Sequence, residues 1–182
     1  MNPISADGRR VLIESVIETL NQGEALLSEI TDDIYVRKLA AAFNASIGGH
    51  YRHCLDHFRS LLNAAAAGDL NYDDRERGTL IENDRFASLN ATRALRDGYR
   101  DLADPCLDRH LKVTCKTSYD ANGSQSSPST VGREIMYVVA HAVHHYALIG
   151  TMCGMQGVAT PASFGVAPST VKHQAELGNV KT

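Results

Sequence analysis

The sequence carries no surplus of either charge. Against 21 Asp and Glu stand 18 Lys and Arg, a formal net charge of −3 over 182 residues. A general binder of a phosphate backbone needs a basic excess, and neither zinc-finger spacing nor a helix-turn-helix signal is present, so no nucleic-acid partner is expected. No apolar run approaches the roughly 20 residues that span a bilayer, so no membrane segment is expected. The opening residues, Met1-Asn2-Pro3-Ile4-Ser5-Ala6-Asp7-Gly8-Arg9-Arg10, lack the basic-then-apolar order of a secretory leader, and a cytoplasmic location is expected. Cysteine is scarce: Cys54, Cys106, Cys115 and Cys153 occur, none of them in a C-x-x-C pair. In a reducing compartment these are read as free thiols. Internal repeats and low-complexity linkers are also missing. What is left, 43% apolar and 21% charged residues, is the composition of a globular chain that can bury its own core without disulfides.

Four long stretches have helical periodicity. The first runs from about Asp7 to Ile30, with Leu12, Val16, Leu20, Leu27 and Ile30 at helical spacing and Asp7 as the expected cap. The second runs from near Ser46 to Ala67 and ends at Gly68-Asp69. The third spans about Asn83 to Leu102, its stripe formed by Phe86, Leu89, Leu95, Tyr99 and Leu102. The fourth spans about Ser129 to Met155, before Gly157. Between the third and fourth, Leu111-Lys112-Val113-Thr114-Cys115-Lys116-Thr117 alternates apolar and polar, and Asn122-Gly123 follows. This predicts a short β-hairpin. Residues 158–182 show little periodicity and are read as an extended tail that packs on the bundle or frays. Four rods of about 30 Å, each with one apolar stripe, can bury those stripes only against one another. The expected fold is therefore all-α, a four-helix bundle over residues 1–157 with a hairpin insertion and a tail.

Six of the eight histidines fall in two windows. His50, His53 and His57 on the second helix lie within a sector of roughly 60°, at about 100° per residue. Cys54 lies close to that sector. On the fourth helix, His141 and His145 are one turn apart on one face, a spacing that lets two imidazoles meet one ion. Val138 precedes this pair and Leu148 and Met152 continue it, which predicts that the histidines sit inside the bundle. Several buried imidazoles need partners, and a divalent metal supplies one for all of them. Three imidazoles with positions left for water or substrate describe a reactive site.

The segments Ser46-Ile47-Gly48-Gly49-His50-Tyr51-Arg52-His53-Cys54-Leu55-Asp56-His57 and His141-Ala142-Val143-His144-His145 resemble the second-helix and last-helix signatures of the DinB-like family, which includes YfiT-type metal-dependent hydrolases. The stretch Asn71-Tyr72-Asp73-Asp74-Arg75-Glu76-Arg77 with Glu82 and Asp84, and Phe164-Gly165-Val166-Ala167-Pro168-Ser169-Thr170 in the tail, resemble a branch of the same family. The resemblance implies a four-helix bundle, often dimeric, with a three-histidine site for zinc, nickel or iron. Carried over by position, the ligands would be His53, His141 and His145. Related bundles serve thiol-dependent transferases and the iron-binding part of ergothioneine-type synthases. The sequence departs from the pattern in two places. Three histidines share the second helix face, so His50 or His57 could replace or support His53. Tyr146-Ala147-Leu148 follows His145 where many members carry Arg-Gly-Gln. No H-x-x-x-H-x-E pattern is present, so the ergothioneine-type activity is not expected.

Other residues are candidates around this centre. Asp56 could orient a ligand imidazole through its second nitrogen. Tyr72, Arg75 and Arg77 could form a polar lid or bind an anionic group. Cys54 could be a ligand or an activated nucleophile, or a small core filler. Glu134 lies about 10 Å along the helix from His141 and is read as a first-turn acid that meets the helix dipole. The expected protein is a homodimer that uses a divalent metal to hydrolyse a small-molecule substrate or to transfer a thiol cofactor to it. The alternative is a bundle that binds metal or ligand without turnover, in a stress or structural role.

Overall fold

The computed structural model describes residues 4–74, 78–102, 104–119 and 123–179. Four long helices carry the architecture: α1 (Ala6–Glu29), α3 (Ile47–Ala67), α4 (Arg85–Arg100) and α5 (Val131–Met155). Each starts where a side chain can accept from the first unpaired backbone N–H groups. Ser5 caps α1 by accepting from Gly8, so Asp7 lies inside the first turn and is not the cap. Ser46 caps α3 through Gly49, Asp84 caps α4 through Phe86 and Ala87, and Thr130 caps α5 through Arg133. Gly68 ends α3 at φ 90°, a left-handed conformation that costs glycine little.

α3 packs between α4 and α5, and α1 closes the opposite side against the same two helices. The core forms where the stripes meet: Val16, Leu20 and Leu27 of α1, Leu55, Phe58 and Leu61 of α3, Leu95 and Tyr99 of α4, and Ile135, Val138 and Ile149 of α5. Burying each such side chain contributes about 1.5–3 kcal/mol. Phe86 departs from the expected stripe. It sits at the start of α4 with Arg85 over its ring, and it is exposed.

A three-stranded sheet caps one end of the α3–α5 pair. The predicted hairpin is present as β2 (His110–Lys116) and β3 (Ser124–Thr130), antiparallel, with Val113 opposite Ser127. The turn residues 120–122 lie outside the described residues. A further strand, β1 (Asp69–Asn71), pairs parallel to β2, Leu70 opposite Val113. This sheet matters for function because β1 leaves α3 directly at Gly68 and β3 enters α5 directly at Thr130. Tyr72, just past β1, is thereby delivered to the first turns of α5.

Two shorter α-helices are also present among the described residues. α2 (Asp32–Val36) places Tyr35 in the core, its hydroxyl bonded to the Ile81 carbonyl at 2.6 Å. α6 (Pro168–Asn179) occupies the second half of the segment read as an extended tail. It begins with proline at its first position, where the missing N–H is not needed. Before it, Phe164 stacks on Tyr146 at 4.8 Å and fixes the tail to α5. Among the described residues no helix is long and apolar enough to cross a membrane.

Candidate metal centre

α3 and α5 run antiparallel and meet along their histidine faces. Rising numbers on α3 pair with falling numbers on α5. His50 Nδ1 lies 3.0 Å from His145 Nδ1, and His53 Nε2 lies 2.9 Å from His141 Nε2. One turn further, His57 stacks on His141 with ring centroids 4.3 Å apart. Beyond the helix, Tyr72 stacks on His57 at 4.9 Å and faces Tyr137 at 5.2 Å. The i, i+3, i+7 spacing on one helix and i, i+4 on the other are what bring these rings into one row.

Within the row, one ligand nitrogen each from His53, His141 and His145 lies within 4.8 Å of the others. These three could hold a metal ion. The donor chemistry fits one: metal–imidazole bonds of about 2.1 Å place two ligand nitrogens about 3.0–3.4 Å apart, close to the His53–His141 separation. All three rings are half-buried, at the seam between the helices. The expectation that they lie inside the bundle is corrected here. Val138 and Met152 do point into the core, but Leu148 is 40% exposed, so the stripe straddles the rim.

Electrostatics favour the neutral form of His145 and of His50. Burial, reinforced by His141, His50 and His144, pushes His145 down to about 3 from its ordinary 6.5. Burial also lowers His50, with His144 adding to it. Both rings are therefore neutral at physiological pH, and a neutral ring keeps the lone pair that a metal requires. The contact with His50 engages Nδ1 of His145, a partner arrangement that fixes ring orientation. His57 Nδ1 donates to the His53 carbonyl at 3.0 Å, which makes Nε2 its acceptor nitrogen.

The flank of the row is built from Glu134, Tyr72 and Tyr137. Glu134 is 2% exposed in the first turn of α5. Its carboxylate accepts from the Tyr72 hydroxyl at 2.8 Å, from Ser129 at 2.6 Å and from Arg133 at 2.9 Å. Burial first, and then Glu134, push the Tyr72 phenol above its usual range, so Tyr72 is a neutral donor. Glu134 thus meets the helix N-terminus as expected, and in addition it anchors an aromatic wall of the centre. Tyr137 stacks on His141 at 5.7 Å and was not among the residues singled out from the sequence. Its position four residues before His141 is the signal that pointed to it.

No protein-family profile matches the sequence. A solved structure, a DinB-like protein from Bacillus subtilis (YjoA), superposes with a TM-score of 0.61 at 18% identity, covering 86% of this chain and 99% of that one. The chain has a DinB-like fold. A curated relative, FK506-binding protein 5 of Rhizopus delemar, is 35% identical over 104 residues, which are 57% of this chain and 27% of that protein. The chain therefore spans about a quarter of the length of the curated relative it matches.

The other expected residues take distinct places in this DinB-like bundle. Cys54 is fully buried, and burial pushes its thiol well above its ordinary value, the environment of a core filler and not of a thiolate. Asp56 is 5% exposed and is held by Arg52 at 2.6 Å and Arg59 at 3.5 Å. Arg52 also reaches Glu82 at 3.2 Å, so this network ties α3 to the turn before α4. His144 is exposed beside His145. Arg75 and Arg77 lie outside the described residues.

Proposed function

We propose that this DinB-like protein holds one divalent transition-metal ion, zinc, nickel or iron, through His53, His141 and His145. With it, the protein acts on a small molecule, by hydrolysis or by transfer of a thiol to it. The observation that carries this reading is the convergence of three imidazole nitrogens from two facing helices, within 4.8 Å, at a half-exposed seam. Three donors on the protein side and solvent on the other correspond to an open shell, the form that catalytic sites take. When bound, the ion supplies Lewis acidity. The remaining work belongs to the chain. His50 orients the His145 ring through their Nδ1 contact. His57 holds its proton on Nδ1 against the His53 carbonyl, so Nε2 is the atom that takes a proton from the incoming thiol or water. Tyr72 and Tyr137 line one flank with ring surface.

Elemental analysis of untagged protein purified without chelator, beside His141→Ala, tests the site. About one ion per chain, absent from the variant, is the expected result. A wild-type protein that refuses zinc, nickel and iron on titration would overturn the proposal. Assay of the loaded protein against ester and electrophile panels, with and without thiol, then tests turnover. A loaded protein inert on every panel would reduce the function to binding.

A further inference from the structure

The two strands of the hairpin present one face to the start of α5. Val113 and Cys115 of β2 stand opposite Ser127 and Gln125 of β3, and alternate residues share a face. Val113, Cys115, Ser127 and Ser129 therefore look toward α5, whereas Ser126 looks away and bonds Thr114 at 2.9 Å. Between the sheet face and the helix lies a cavity of about 350 Å³. That is the size of pockets that hold small organic ligands. Tyr72 and Tyr137 line it, and the same two rings stack on His57 and His141, so cavity and metal centre share a wall.

The charged groups of this cavity are Glu134 and Arg133. The buried Glu134 carboxylate is satisfied by three donors from Tyr72, Ser129 and Arg133. Arg133 uses Nη1 for this contact and lies over the Tyr137 ring at 5.8 Å, while its side chain is 64% exposed. A guanidinium has five N–H donors, so the planar fork at the cavity mouth retains donors suited to a carboxylate or sulfonate. Aromatic and aliphatic walls from Tyr72, Tyr137 and Val113 suit a flat apolar body. We infer that this cavity binds a small organic anion with a flat apolar body, the substrate of the adjoining centre. Its role as substrate rests on the function proposed above; its binding of such an anion does not.

The probe is 8-anilinonaphthalene-1-sulfonate, followed by its fluorescence on the full-length protein, with its neutral analogue N-phenyl-1-naphthylamine beside it. Saturable binding of the sulfonate is expected in the wild type. Arg133→Gln, at an exposed position, weakens the sulfonate about tenfold and leaves the neutral analogue within about twofold. Ser127→Trp fills the cavity and abolishes binding of both, whereas Ser126→Trp, on the opposite sheet face, changes neither. Sulfonate binding persists in wild type treated with chelator, so loss of the metal and loss of the cavity read out separately. Equal sulfonate affinity in wild type, Arg133→Gln and Ser127→Trp would overturn the inference, as would a wild type that shows no saturable binding.

Discussion

One helical turn separates His50 from His53, and the two rings have different tasks. His53 offers a nitrogen to the proposed ligand group, while His50 touches Nδ1 of His145. Their alanine variants should therefore differ in kind. His53→Ala, like His141→Ala and His145→Ala, is expected to lose stoichiometric metal altogether. His50→Ala is expected to keep one ion per chain at saturating metal but with an affinity about 10–100-fold weaker, the usual effect of losing a group that orients a ligand. Metal titration with a competing chelator separates the two outcomes, and equal loss in all four variants would place His50 among the ligands. Tyr72→Phe tests the flank. It removes one of three donors to a carboxylate that is 2% exposed, and the expected loss is about 1–3 kcal/mol in urea unfolding. A change near zero would mean that solvent replaces the phenol.

The elements differ in how tightly glycine constrains them. Gly165 lies at φ 69° in the tail, where a Cβ would come within 2.4 Å of the Ala147 backbone nitrogen on α5. Gly165→Ala is expected to lift the 158–167 segment and break the Phe164–Tyr146 stack, at a cost of about 1–3 kcal/mol. Gly154, inside α5, has nothing within 4 Å of its would-be Cβ. Gly154→Ala should instead stabilise by about 0.5–1 kcal/mol through helix propensity. Thermal unfolding of both variants, with amide exchange over 158–167, checks the contrast; equal effects would mean that the tail is not seated as described. The same contrast explains which elements were legible in the sequence. The four long helices were, because each combines a stripe of period 3.6 with a capping residue, and the hairpin was, because Leu111 to Thr117 alternates. β1 is three residues long and carries no pattern of its own; it exists because β2 offers an edge. α2 has five residues and α6 buries almost nothing, so neither leaves a stripe to read. In the candidate site the histidine row was visible as i, i+3 and i+7. The contact of Tyr72 with Glu134 was not, because strand pairing brings together residues 62 positions apart. Leu148 shows the remaining gap: periodicity gives the direction of a stripe, but only packing tells whether its edge is buried or at the rim.

At the scale of the molecule, acid and the proposed ion would act on the bundle as a whole. Glu24 of α1 is clasped by Arg93 and Arg96 of α4, and the hydrogen bond from Arg93, more than any other contact, holds its carboxyl below the ordinary 4.5. A carboxylate lowered in the folded state adds stability that is present above about 4.5 and lost as pH falls through the lowered value. Glu24→Gln is therefore expected to be less stable than wild type near neutral pH, with the gap narrowing as pH falls below the ordinary 4.5; a constant gap in urea midpoint would assign the loss to packing. At the other seam, the proposed ligands sit on both α3 and α5. An ion that binds only the folded chain stabilises it by about 2.7 kcal/mol at a free concentration a hundredfold above its dissociation constant. For a chain of this length about 1 kcal/mol moves the midpoint by roughly 2–4 °C, so the expected rise is about 5–11 °C. His141→Ala should remove that rise, since the two helices would no longer share a ligand set. A rise that survives in His141→Ala would place the ion elsewhere on the chain. No rise in the wild type would mean that His53, His141 and His145 satisfy one another by hydrogen bonding, and that the α3–α5 seam is held by packing alone.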